Sequence, residues 1–88
     1  MNNEDRYYRT SSFNIATFLF AKGCELVNID RLSHEKRATF VFINSPEIEQ
    51  LVYDFSFGKE DKENLMVDVR KIVYAIKQVK EKLYQNNY

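Results

Sequence analysis

The side chains most readily made nucleophile and base near neutral pH, a thiol and an imidazole, occur once each in this sequence: Cys24 and His34. A thiol activated by an imidazole needs the two within hydrogen-bond reach and a third group that orients the base. His34 lies among charges in Ser33-His34-Glu35-Lys36, a predicted turn, and no pattern around it supplies a positioned partner. It reads as an exposed turn residue, and Cys24 reads as a small buried hydrophobe. One His and one Cys cannot build a structural zinc site, which takes four N or S ligands. Gly23 and Gly58 stand too far apart for a Walker loop or a dinucleotide fingerprint. The carboxylates from Asp54 to Glu63 do not follow the alternation of a calcium loop. The expectation is no enzymatic activity, no metal and no cofactor.

Aromatic rings beside cations offer a different chemistry, that of binding. Lys36-Arg37-Ala38-Thr39-Phe40-Val41-Phe42 is superficially like the central strand of an RNA-recognition motif, where aromatics stack bases. Ala38 stands where a stacking ring is needed and no glycine precedes it, so Phe40 and Phe42 are expected in the core. On the outer face of the last helix Tyr74 falls near Arg70, Lys71, Lys77 and Gln78, with Glu81 diluting the positive field. Arg6-Tyr7-Tyr8-Arg9 is similar in composition, and could form a short strand or a strap over the first helix. Candidate partner-binding residues are therefore Tyr74, Arg70, Lys77, Tyr7 and Tyr8. Phosphate contacts would use Arg70, Lys71, Lys77 and Lys80 instead.

Composition sets the frame for these groups. The 88 residues suit one domain over 1–88, with 1–6 as a disordered tail, and 44% apolar content argues against disorder of the whole. A single cysteine forms no internal disulfide, which favours a reducing, cytoplasmic setting. The polar start is unlike a secretory leader, and the apolar run Phe13 to Ala21 is too short to cross a bilayer. Thirteen basic and thirteen acidic side chains cancel, so total charge gives no pull toward nucleic acid. Residues 44–68 nevertheless carry seven acids against two lysines, and residues 69–88 carry five bases against Glu81. Such halves mark a partner surface, or else complement each other within the fold.

The elements that must position these groups follow from caps and periodicity. Thr10-Ser11-Ser12 opens a helix running from about Ser12 to Lys22, apolar nearly all round, with Gly23 at its C-cap. Cys24 to Leu32 and Arg37 to Asn44 read as two strands, the second apolar on both faces and so central. Ser45-Pro46-Glu47 starts a second helix, with Ile48, Leu51, Val52 and Phe55 on one stripe and an end near Gly58. Leu65, Val69, Ile72, Ile76, Val79 and Leu83 form the seam of the last and longest helix, with Asp68 preferred as its N-cap. The fold class is α+β, a small antiparallel sheet packed by three helices. The order is helix-strand-strand-helix-helix, with room for short extra strands at 6–10 and 64–67.

Three blocks carry a family likeness: Tyr8-Arg9-Thr10-Ser11 with Asn14-Ile15-Ala16 and Ala21-Lys22-Gly23; Phe40-Val41-Phe42 with Ser45-Pro46 and Leu51-Val52; and Ala75-Ile76-Lys77 with Lys80 and Leu83-Tyr84. Together, over roughly residues 7–84, the chain resembles an uncharacterised family of small domains of unknown function met in bacterial phages and mobile elements. The resemblance implies a mobile-element accessory protein that acts by binding, and carries over no catalytic residue. The charged connection Lys59-Glu60-Asp61-Lys62-Glu63 departs from it. The leading expectation is a non-enzymatic module that binds a protein or itself. A nucleic-acid-binding accessory domain is the alternative, and no membrane partner is expected.

Overall fold

The computed structural model describes residues 6–31 and 37–85. In chain order the elements are β1 (Tyr7–Thr10), α1 (Phe13–Ala21), β2 (Leu26–Asp30), β3 (Thr39–Ile43), α2 (Pro46–Phe57), a 3-10 turn (Glu63–Leu65) and α3 (Val69–Gln85). The α+β expectation holds, with a further strand at the front. The turn Ser33–Lys36 lies outside the described residues.

The sheet is antiparallel throughout, in the order β1-β3-β2, so β3 is central. Side-chain alternation divides β3: Phe40 and Phe42 are 2% and 0% exposed, while Ile43 on the opposite face is open. Val41 shares that opposite face and is buried beside its register partners Arg9 and Asn28. The ladder runs one step beyond the strands, since the Asn44 N–H donates to the Arg6 carbonyl at 2.9 Å and the Ile43 N–H to Glu25 at 3.0 Å. A bulge between Leu26 and Asn28 returns Ile29 to the core side.

α1 begins where the Ser12 hydroxyl accepts from the Ile15 N–H at 3.1 Å, a side-chain cap. It ends in a Schellman pair: the Gly23 N–H donates to Phe20 and the Cys24 N–H to Leu19, both at 3.0 Å. Gly23 sits at φ 95°, the left-handed region that glycine enters without steric cost. Ala16, Thr17, Phe18 and Leu19 are buried, so four successive directions around α1 are covered. Phe13 meets Phe40 edge-on at 6.3 Å, and Phe18 meets Phe55 of α2 at 4.9 Å. α1 packs against both α2 and α3 and stands between them.

Two expectations need correction, and one holds with a difference. Residues 64–67 form no strand: the 3-10 turn occupies Glu63–Leu65, and it packs on α2 instead of lining up beside a sheet edge. Ser45 takes the N-cap position of α2 with Pro46 after it, as expected, although its side chain makes no capping hydrogen bond; its own N–H donates to the Asn44 side chain at 2.9 Å. Val69, the first residue of α3 after its Asp68 cap, is 70% exposed and adds nothing to the buried seam. Ala75, fully buried, joins Ile72, Ile76, Val79 and Leu83 on the inward side. Leu65 still packs against the core, but from the turn.

Candidate functional site

The cap of α3 also fixes the first candidate residue. The Arg70 N–H donates to Asp68 Oδ1 at 2.8 Å, and the Arg70 guanidinium returns to the same carboxylate, with Nη2 2.8 Å from Oδ2. These bonds hold the Asp68 carboxyl below its ordinary range and raise Arg70 above its own. Arg70 is therefore paired with the cap of its own helix, while its side chain stays 87% exposed. With Lys71, Tyr74, Asp68, Phe20 and Ala21 it lines a groove of about 500 Å³ between α3 and the end of α1. Tyr74 is exposed there, as expected from the sequence.

The remaining cations divide between two sides of α3. At ~100° per residue, Lys71 and Lys80 point to roughly opposite sides of α3, and Lys77 lies nearer Lys80. Of the set Arg70, Lys71, Lys77 and Lys80, only Lys71 stands apart from the side that the other three share. The two tyrosines of β1 separate as well. Tyr7 sits on the open face of the sheet under Arg9, whose guanidinium carbon is 5.8 Å from the ring centre. Tyr8 turns inward, packs against the core and lines a second cleft with Asn44, Ser45, Pro46 and Glu49. Phe40 and Phe42 are buried, so no stacking platform for bases exists on β3.

Cys24 is placed by the Schellman pair, half-buried in a cleft of about 490 Å³. Lys22, Glu47, Gln50 and Asn64 are among its walls. Burial pushes the thiol up, the Glu47 carboxylate adds to this, and Lys22 opposes both. A protonated thiol is a weak nucleophile. His34, its suggested partner, lies outside the described residues. Among the described residues no three His, Cys, Asp or Glu side chains are grouped to hold a metal ion. No helix among them is long and apolar enough to cross a membrane.

One group escaped the sequence reading. Asp54, 2% exposed, is buried on the inward stripe of α2. Its Oδ1 accepts from Gln50 Nε2 at 3.0 Å and its Oδ2 from Asn64 Nδ2 at 2.7 Å. Two neutral amides, one from α2 and one from the 3-10 turn, thereby stitch the connection onto the helix. The available signal was Asp54 at i+3 from Leu51, an acid on an apolar stripe, with an amide four residues before it.

Outward of this buried stripe, α2 presents Tyr53 and Phe57, whose rings pack at 5.3 Å, with Phe57 73% exposed. α3 presents Val69, Val73 and Tyr84 in addition to Tyr74. Comparison with curated proteins and with solved structures gives no match. A family model does match, over residues 5–85. The chain belongs to that family, described as "Domain of unknown function (DUF5659)".

Proposed function

We propose that the protein is a non-enzymatic interaction module whose partner is a protein. One observation carries this: the outward sides of α2 and α3 leave Tyr53, Phe57, Val69, Val73, Tyr74 and Tyr84 open to solvent. Scattered exposed apolar residues are ordinary, but Tyr53 and Phe57 pack ring to ring at 5.3 Å in the open, and such aromatics are the composition of interface cores. The protonated Cys24 thiol and the Asp54 carboxylate tied to two amides speak for structural roles for both. A cytoplasmic setting accords with the lone cysteine, and a phage or mobile-element origin rests on the resemblance of the three sequence blocks.

The test is affinity capture from the native host with the wild type and with a Tyr53→Ala/Tyr74→Ala variant of unchanged circular dichroism. A protein retained by the first and lost by the second supports the reading. Equal capture by both, or none, removes it. Nucleic-acid binding is the second reading, favoured by Lys77 and Lys80, which have no ion-pair partner among the described residues. It requires affinity that falls steeply with salt and weakens in Lys77→Ala. No binding at low salt dismisses it.

A further inference from the structure

We infer that the groove between the end of α1 and the start of α3 takes an acidic peptide segment of the partner. An apolar side chain of that segment seats against Phe20 and Tyr74, and its neighbouring carboxylates are held by Lys71 and Arg70. This rests on the protein-interaction reading and names the surface and the chemistry of its occupant. The groove of about 500 Å³ continues, through the shared walls Ala21, Asp68 and Lys71, into a hollow of about 150 Å³ that adds Lys22, Met66 and Val67. The larger space falls within the roughly 300–1,000 Å³ of pockets that seat a ligand.

The sequence builds the apolar half from small and anchored side chains. Ala21, a methyl group at the last position of α1, leaves room that a longer side chain would fill, and Gly23 then turns the chain away. Phe20 and Val67 pack against the core and give the lining a fixed apolar base. Tyr74 and Met66, 59% and 57% exposed, stand open to solvent above it.

Charge selects what fits there. In a chain whose charges cancel overall, Lys22, Arg70 and Lys71 line the two spaces against a single carboxylate, Asp68. Arg70 engages both Asp68 oxygens, so that carboxylate is already compensated. Lys71 makes no ion pair among the described residues, and neither does Lys22, which also borders the Cys24 cleft with Glu25 and Glu47. The carbonyls of Phe18, Leu19 and Phe20, which would repel an anion, are met by the N–H groups of Lys22, Gly23 and Cys24. At ~100° per residue Tyr74 projects between Arg70 and Lys71, a ring flanked by two cations. That arrangement matches a carboxylate beside an apolar side chain. A phosphate backbone needs a longer run of cations, and farther along α3 the exposed Glu81 falls on the side of Lys77 and Lys80.

The experiment is an amide-shift titration of the full chain, followed by NMR, with a synthetic peptide of phenylalanine flanked by glutamates. Shifts should concentrate at residues 20–22 and 66–74. Lys71→Glu should weaken binding about fivefold and Tyr74→Ala similarly, whereas Lys77→Glu, outside the groove, should change it less than about twofold. Circular dichroism checks the fold of each variant. The same peptide with lysine for glutamate should not bind, a comparison that needs no variant. Absent shifts, shifts elsewhere, or equal binding of the lysine peptide overturn the inference. An oligothymidylate that moves these amides when the acidic peptide does not overturns it in favour of nucleic acid. Partner capture lost in Tyr53→Ala/Tyr74→Ala but unchanged in Lys71→Glu overturns this groove and leaves the broader reading standing.

Discussion

Asp54 shows what a single side chain contributes when two elements share it. Its carboxylate has no cation within hydrogen-bond reach among the described residues, so the amides of Gln50 and Asn64 supply the compensation that a buried charge needs. Asn64→Ala removes the donor to Oδ2 and leaves that oxygen dry. A loss of about 1–3 kcal/mol in urea unfolding is expected. The sequence hid this role because an acid amid Glu47, Glu49 and Glu60 looks like one more solvated charge. By contrast, the Ser12 cap and the solvent-facing Tyr74 were legible, since both depend on neighbours within one or two turns. Cys24 gives a pH test. Because burial first and Glu47 second push its thiol up, alkylation should stay slow at neutral pH and accelerate only above the ordinary thiol range, ~8.5. Glu47→Gln should move that rate profile to lower pH, without restoring a free thiol's profile, because burial remains.

Among the elements, the connection from α2 to α3 was the hardest to read. Periodicity counted Leu65 and Val69 into one seam because both are apolar and spaced by four. The Asp68 cap falls between them, so the spacing was real but belonged to two different segments. Ala75 went unnoticed for the opposite reason: a methyl group adds little hydropathy, yet it lets α1 and α3 approach closely. β1 was legible only as an option, since four residues alternating tyrosine with arginine and threonine need a partner strand before they have a structure. Gly58 marks how tightly the connection leaves α2. A Cβ there would lie 2.6 Å from the Asp54 carbonyl oxygen, the same oxygen that accepts the Gly58 N–H at 2.7 Å. Gly58→Ala should therefore destabilise by about 1–3 kcal/mol through displaced backbone, measurable as a lowered denaturation midpoint with an unchanged m-value.

At the scale of the whole molecule, burial is concentrated on one side of the sheet. Phe40 and Phe42 of β3 and Leu19 of α1 lie at the centre of the core, with β1 and β2 on the edges. Native-state amide exchange should be slowest in β3 and the middle of α1, and faster in β1 and the connection 58–68. Uniform exchange across these segments would contradict that layering. The α+β class, the central strand and the three helices could be read in advance, because each is dictated by local pattern. Which faces stay open could not, since that depends on how α1 separates its neighbours. The two outer strands have a further consequence. β1 has four residues, and β2 is interrupted by its bulge, so neither offers another chain a long, regular row of free amides and carbonyls. Growth into stacked fibrils by strand addition is thereby discouraged, and assembly is left to side chains, which can be chosen for one mate and refused to the rest.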